Sequence, residues 1–92
     1  MTDYQYESRD FTETFLHSLV SRDFTTADRE AFVRALRLLD EDERHPSLRV
    51  HQLKGDRAGS WSVSASDFLR MTFARMGTRR KRMLTCSKHD DR

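Results

Sequence analysis

The sequence predicts an α+β fold in which two N-terminal helices pack on an antiparallel β-sheet meander. Apolar residues recur at helical spacing up to about residue 42 and alternate with polar residues after Pro46. The chain has 92 residues, close to the usual size of one domain. We therefore expect residues 1–92 to form a single domain with a thin core, since a chain this short buries only about 60–65% of its unfolded surface.

The first helix is predicted over about residues 10–21. Asp10 is the candidate N-cap, and Glu13 follows at a position where a carboxylate favours the positive end of the helix dipole. Phe11, Phe15 and Leu19 recur at four-residue spacing and therefore lie on one face. We expect this face to pack on the sheet.

The second helix is predicted over about residues 26–42. Thr25 with Asp28 three residues later is an N-terminal capping signal. Phe32, Leu36 and Leu39 then form a second apolar stripe. Two such stripes need a further layer of structure to cover them, which the rest of the chain must supply.

The strands of the meander follow Pro46, which is expected to stop the second helix. Leu48 and Val50 alternate with polar neighbours and predict a first strand over residues 48–51 with both side chains inward. Three further strands are predicted over residues 60–66, 68–74 and 82–86. Tyr4-Gln5-Tyr6 is a candidate N-terminal edge strand.

Cysteine content and hydropathy exclude several classes of protein. The single cysteine, Cys86, cannot form an internal disulfide or supply the clustered ligands of a structural zinc site. No uncharged run approaches the ~18 residues needed to cross a bilayer, and the acidic start Met1–Glu7 does not have the order of a signal peptide. We expect a cytoplasmic protein with no membrane partner.

Charge is distributed unevenly along the chain. Residues 1–46 carry six arginines against eleven acids, a net charge of −5, whereas residues 47–92 carry eleven lysines and arginines against four acids, a net charge of +7. Nucleic-acid-binding proteins have such basic regions because phosphate contacts release counterions. An acidic protein partner would be attracted for the same reason.

The four histidines are the candidates for acid–base chemistry near neutral pH. His51 shares its predicted strand face with Arg49, and that face is polar if the strand's apolar residues point inward. His17 and His45 are interpreted as a packing or surface residue and a helix-end residue, respectively. His89 lies in the charged C-terminal segment.

Cationic and aromatic residues of the meander each have two interpretations. Arg70 lies between two core-facing residues, so it either presents its planar fork to a phosphate or is simply solvated. The run Arg79–Arg82 either follows a nucleic-acid backbone or forms a soluble turn. Trp61 alternates with serines along its predicted strand and is therefore assigned to the core. No phosphate loop, nucleophile elbow or metal-ligand spacing occurs in the sequence.

Several segments together resemble the RelE/ParE superfamily of bacterial toxins, and most closely its mRNA-interferase branch, which includes RelE, HigB and YafQ. These segments are His45-Pro-Ser-Leu-Arg-Val-His-Gln-Leu-Lys-Gly55, Gly59-Ser-Trp-Ser-Val63, Leu69-Arg-Met71 and Leu84-Thr-x-x-x-His-Asp-Asp91. The predicted order of helix, helix and meander is similar to the fold of that family.

The resemblance implies the toxin of a type II toxin–antitoxin system. Such toxins are ribosome-dependent endoribonucleases that inhibit translation by cutting mRNA in the A site without a metal, through attack of a 2′-hydroxyl on the adjacent phosphate. The implied partners are a cognate antitoxin, the ribosome and mRNA. No cofactor is implied.

The resemblance also implies roles for particular residues. His89 matches a C-terminal histidine of the family and is the first choice for acid–base catalysis, and His51 is the second. Arg70 matches a strand arginine that would stabilise the transition-state phosphate, and Lys54 would position RNA or offset charge on the leaving group. The other cations predicted to contact RNA are Arg49, Arg57, Arg79, Arg80, Lys81, Arg82 and Lys88.

The sequence departs from the family in two places. The family's tail continues to an aromatic residue, whereas this sequence ends at Arg92 without one. Ser62 and Ser64 replace the arginine or histidine often found on the second meander strand. Altered or lost nuclease activity, a non-catalytic RNA- or protein-binding module, and a ParE-like gyrase inhibitor therefore remain alternatives.

Overall fold

In the computed structural model, which describes residues 9–77 and 80–88, two helices cover one face of a five-stranded sheet. The elements are β1 (Arg9–Phe11), α1 (Glu13–Leu19), α2 (Thr26–Glu41), β2 (His51–Gln52), β3 (Ser60–Ser64), β4 (Leu69–Arg75) and β5 (Lys81–Lys88). Two short 3₁₀ turns, Pro46–Leu48 and Gly55–Arg57, flank β2. The predicted α+β architecture is confirmed.

The sheet has the order β1-β5-β4-β3-β2. Strands β2 to β5 form the predicted antiparallel meander. The edge strand β1 runs parallel to β5, so the sheet is mixed rather than purely antiparallel. The predicted edge strand at Tyr4-Gln5-Tyr6 lies outside the described residues.

Helix α1 begins later than predicted because its cap is Thr12 and not Asp10. The Thr12 hydroxyl accepts a hydrogen bond of 3.0 Å from the backbone N–H of Phe15 and lies 3.1 Å from the Leu84 carbonyl oxygen, to which it donates. Asp10 is the central residue of β1. The helix therefore starts where a single threonine both caps it and joins it to β5, and it ends two residues before the predicted boundary.

Helix α2 begins as predicted. The Thr25 hydroxyl accepts from the Asp28 N–H, and the Asp28 carboxylate accepts from the Thr25 N–H, both at 3.0 Å, which completes a capping box. Pro46 does not stop this helix, because the helix ends at Glu41 and Pro46 instead opens a 3₁₀ turn. Within residues 9–77 and 80–88, neither helix has the length and apolar character needed to cross a bilayer.

The first meander strand is shorter than predicted. Leu48 is buried, but it belongs to the 3₁₀ turn and not to a strand. Arg49 ends that turn with a φ of 48°, a left-handed conformation that interrupts the extended chain. Only His51–Gln52 then pairs with β3.

The core lies between the helices and one face of the sheet. Its fully buried large side chains are Phe15, Phe32, Leu39, Leu48, Val63, Met71, Phe73 and Met83. Burying each such side chain contributes about 1.5–3 kcal/mol. Cys86 is also buried there, and this burial raises the pKa of its thiol to about 12. The helices therefore leave the opposite sheet face for other contacts.

Candidate nucleic-acid interface

The sheet face opposite the helices is lined by small polar side chains and a few cations, and we call it the polar face. Alternation and register assign to it His51, Ser60, Ser62, Ser64, Arg70, Thr72, Ala74, Arg82, Thr85 and Ser87. Val63 and Met71 point the other way and are fully buried. Ser62 and Ser64 lie on the polar face but are only 7% and 8% exposed.

One row of side chains crosses the polar face near its centre. His51 of β2 is paired with Ser62 of β3, which is paired with Thr72 of β4 and then with Thr85 of β5. The two threonine hydroxyls lie 2.7 Å apart and hydrogen-bond each other. The row therefore carries an imidazole at one edge of the sheet and hydroxyls across its middle.

A second row lies two residues further along the strands and contains Arg70. Arg70 is flanked by Ser64 on β3 and by Ser87 on β5. It is the second residue of β4, between the buried residues Leu69 and Met71 as predicted, and its side chain is half-buried. Its Nη1 donates to the carbonyl oxygens of Ser66 at 2.7 Å, Leu69 at 3.1 Å and Asp67 at 3.3 Å.

This anchoring uses only one nitrogen of the Arg70 guanidinium. Within the described part of the chain, Nε and Nη2 have no hydrogen-bond partner. These two nitrogens form an edge that can donate two parallel hydrogen bonds to a phosphate or carboxylate. The turn carbonyls therefore fix the arginine while its anion-binding edge is left for a ligand.

His51 is oriented by a backbone carbonyl. Its Nδ1 lies 2.9 Å from the carbonyl oxygen of Arg49, the residue in the left-handed conformation. Because a carbonyl oxygen can only accept a hydrogen bond, Nδ1 carries the proton, and in the neutral ring Nε2 is then the acceptor. His51 is exposed, so Nε2 can meet a ligand on the polar face.

His51 and Arg70 share the polar face without touching. Two strand spacings and two residues separate them, which places their Cα atoms about 12 Å apart. Ser62 and Ser64 lie on the strand between them. The site is therefore a strip with an imidazole and a guanidinium at its ends and serine hydroxyls along its floor.

Several predicted RNA-binding cations gather at one end of the sheet. The loop between β2 and β3 carries the exposed residues Lys54 and Arg57, where positive φ values at both of its glycines make the turn. The exposed residues Arg80 and Arg82 lie at the same end, before and within the start of β5. These four cations surround the end of the polar face that is distant from Arg70.

The other end of the sheet carries Arg70 and Lys88, about 17 Å away along the strands. Arg49 is exposed at the nearby edge of β3. Lys54, predicted to position RNA or offset charge on the leaving group, is thus separated from Arg70 by the length of β3. Two further predicted residues, His89 and Arg79, lie outside the described residues.

Lys81 differs from the other predicted RNA contacts because it belongs to an ion cluster on the helix-covered side. Its Nζ lies 3.0 Å from Glu43 Oε1 and 5.9 Å from the Phe73 ring centroid. Glu43 also pairs with Arg75, whose guanidinium carbon lies 4.3 Å from the Trp61 ring centroid. Hydrogen bonding to Arg75 lowers the pKa of Glu43 below its usual 4.5, although partial burial opposes this.

Sequence reasoning did not identify this cluster. In β4, Arg75 lies on the same face as the buried residues Met71 and Phe73. A cation at such a position indicates that an acidic or aromatic partner covers it. Trp61, predicted to be a core residue, is half-buried and stacks on Phe73 with centroids 6.3 Å apart. The cluster fastens the segment after α2 to the sheet and so supports the turn that leads to Arg49.

Comparison with known proteins was made at the level of sequence and of structure. No family model matches the sequence, and no curated protein matches it significantly. A YoeB/ParE toxin from Agrobacterium tumefaciens superposes with a TM-score of 0.70 at 21% identity, over 89% of this chain and 98% of that chain.

Two toxin–antitoxin complexes contain similar chains. The E. coli DinJ–YafQ complex matches with a TM-score of 0.70 at 11% identity, over 88% of this chain and 90% of that chain. The Staphylococcus aureus YoeB–YefM complex matches with a TM-score of 0.67 at 12% identity, over 89% and 95%. This chain therefore shares the fold of these solved toxins.

Proposed function

We propose that this protein is the toxin of a type II toxin–antitoxin system and acts as an endoribonuclease on mRNA in the ribosomal A site. The observation that carries the proposal is Arg70, anchored by turn carbonyls with its Nε and Nη2 edge open, on the same face as an oriented imidazole. Both groups are placed on strands, which hold them more rigidly than loops would.

The reaction is an internal transfer that needs no water. The ribose 2′-oxygen attacks the adjacent phosphorus, the bond from phosphorus to the 5′-oxygen breaks, and a 2′,3′-cyclic phosphate and a 5′-hydroxyl result. A base takes the proton of the 2′-hydroxyl, and an acid gives a proton to the leaving oxygen. Arg70 would stabilise the additional negative charge on the pentacoordinate phosphate.

The two histidines divide the proton transfers in this proposal. His89 is our first choice for acid–base catalysis, and it follows Lys88, the last residue of β5, in the sequence. His51 is the second choice, supported by its proton at Nδ1 and the acceptor Nε2. Lys54 would hold a more distant part of the RNA, since it lies at the other end of the polar face from Arg70.

The partner in this proposal is an antitoxin that covers the basic half of the chain. YafQ and YoeB, two chains of the same fold, are found in complexes with DinJ and YefM. Residues 47–92 carry a net charge of +7, which favours an acidic segment that folds on binding. Such a segment would compete with RNA for the same cations.

The proposal is tested by adding the purified chain to a translation extract and mapping cleavage of the translated mRNA. We expect cuts within codons that depend on translation and are slowed about 10²-fold or more by His89→Ala. His17→Ala is the matched control, because His17 lies on α1, away from the polar face.

Each other result would contradict the proposal in a different way. Ribosome binding without cleavage by the wild type would support a non-catalytic module. Unchanged translation together with lost DNA supercoiling would support the gyrase inhibitor. Full cleavage by His89→Ala, with folding confirmed, would transfer the catalytic role to His51.

A further inference from the structure

One aromatic side chain is left mostly in water among the residues that the structure describes. Phe68 is 66% exposed and lies in the turn between β3 and β4, two residues before Arg70. Such turns ordinarily carry small or polar residues, as Ser66 and Asp67 are here. Phe68 is not part of the buried core, so its ring presents apolar area to a ligand.

The backbone that carries Phe68 is held in place from both sides. Its N–H donates to Ser66 Oγ at 3.2 Å. Arg70 Nη1 donates to carbonyl oxygens before and after Phe68 in the chain. These oxygens belong to Ser66, Asp67 and Leu69. Because this backbone is already ordered, Phe68 loses little freedom when a ligand binds.

The turn places the ring beside an arginine whose anion-binding edge is open. The Cα atoms of Phe68 and Arg70 are at most about 7 Å apart, since Phe68 precedes Arg70 by two residues. One nucleotide offers matching groups at short range, because a single ribose joins its charged phosphate to a flat, uncharged base. Asp67 is exposed next to Phe68, and its carboxylate repels a second phosphate, which favours the uncharged base at the ring.

Exposed aromatic rings recognise single-stranded RNA by stacking on its bases. Such stacking accepts every base, and differences in stacking strength give modest preferences. A protein partner would also bury apolar area on Phe68. The open edge of the neighbouring Arg70 favours a ligand that carries a phosphate, and therefore a nucleotide.

We propose that Phe68 is a stacking platform for the nucleobase next to the phosphate held by Arg70. This inference rests on the proposed function and adds a residue that contacts the base and not the backbone. A purine covers more of the phenyl ring than a pyrimidine does. Phe68 therefore favours a purine at this nucleotide.

The test measures binding of fluorescently labelled oligo(A) and oligo(U) to the full chain by anisotropy at low salt. Phe68→Ala and Phe68→Leu should each weaken oligo(A) binding about five- to tenfold and oligo(U) binding less, because neither side chain can stack. Leucine keeps the apolar character, so this variant separates stacking from apolar contact. Phe68→Trp should keep or raise the affinity for oligo(A).

Val20→Ala is the matched control. Val20 follows α1 and is 72% exposed, so this substitution removes a similarly exposed apolar side chain and should change neither affinity. The Phe68 variants should keep the wild-type dependence of binding on salt, since no charge is lost. They should also unfold at the wild-type urea concentration, because the ring lies outside the core.

The outcomes distinguish this inference from the proposed function. Wild-type oligo(A) affinity in Phe68→Ala and Phe68→Leu would overturn the inference even if the wild type cuts mRNA in extract. Loss of affinity in Phe68→Ala alone would also overturn it, because apolar contact and not stacking would then be what matters. Lack of oligonucleotide binding by the wild type would do the same. An extract in which mRNA stays intact while both variants lose oligo(A) affinity would overturn the nuclease and keep the base-binding site.

Discussion

The Arg70 guanidinium is ordered by the protein before any ligand binds. Its three contacts with backbone carbonyl oxygens use Nη1, so the side chain loses little further freedom when Nε and Nη2 meet a phosphate. Groups that are already oriented toward developing charge stabilise a transition state without reorganisation. A flexible lysine would supply the charge but not the orientation.

Substitution of Arg70 by lysine therefore separates charge from geometry. Arg70→Lys should slow single-turnover mRNA cleavage about 10²-fold, because the two-pronged contact and its anchor are lost. The pH dependence of the rate should keep its shape, since both side chains stay charged near neutral pH. Quench-flow or gel assays on programmed ribosomes measure both, and a rate within about twofold of wild type would contradict the assignment of Arg70.

Arg49 holds His51 through a backbone conformation that is unfavourable for its residue type. At a φ of 48° a side chain with a Cβ costs about 1–2 kcal/mol relative to glycine. Arg49→Gly should therefore keep or raise the stability, whereas Arg49→Val should be less stable than Arg49→Gly by about 1–2 kcal/mol or more. Urea unfolding of the two variants measures this difference, and equal stabilities would show that the left-handed turn is not maintained.

At the level of elements, local signals explain which parts of the fold could be predicted. The start of α2 is specified by Thr25 and Asp28 within one turn, and the prediction was correct. The start of α1 depends on the contact of Thr12 with the Leu84 carbonyl, 72 residues away, and the prediction was wrong. Strand β1 has three residues and exists through parallel pairing with β5, which no local pattern shows.

The ion cluster that joins the segment after α2 to the sheet should make stability depend on acid. The pKa of Glu43 is lowered in the folded protein relative to its usual 4.5, mainly by hydrogen bonding to Arg75. Its contribution is thus complete above about pH 4.5 and is lost as pH falls through the lower folded pKa. In denaturant unfolding between pH 3 and 7, the free energy of unfolding of Glu43→Gln should fall less with decreasing pH than that of the wild type.

Glu30→Gln provides the control for this experiment. Glu30 is an exposed residue of α2 that forms no ion pair among the described residues, and its substitution should leave the wild-type acid dependence unchanged. Identical pH profiles for wild type and Glu43→Gln would mean that the cluster does not stabilise the fold in solution.

For the whole molecule, the chain's charge separates into two groups of cations at opposite ends of the sheet. The sequence predicted the basic half and the placement of Arg70 opposite the core, because charge and strand alternation are visible in it. It could not predict that Lys81 pairs with Glu43 or that the Arg49 carbonyl oxygen accepts a hydrogen bond from His51 Nδ1, since both depend on loop geometry. The two groups, about 17 Å apart, suit an extended strand of RNA.

Removing the cations at one end of the sheet should change how strongly RNA or ribosome binding depends on salt. Charge reversal at Lys54, Arg57 and Arg80 should weaken ribosome or RNA binding and reduce the slope of log affinity against log salt by about one unit per lost contact. The same reversal at Arg37, an exposed arginine of α2, is the control and should leave the slope unchanged. An unaltered slope in the triple variant would show that this end of the polar face does not contact phosphate.

Expression in bacteria tests the proposed toxin function in the cell. Expressed alone in bacteria, the wild-type chain should arrest growth, and co-expression of a small acidic antitoxin should restore it, because the +7 half attracts an acidic segment that excludes RNA. Protein synthesis, followed by labelled amino-acid incorporation, should stop before DNA supercoiling changes. Arg70→Lys should permit growth at equal soluble expression and still bind the antitoxin, since its charge is retained. Normal growth with abundant soluble wild-type protein would contradict the toxin assignment, and loss of supercoiling before translation would identify gyrase as the target.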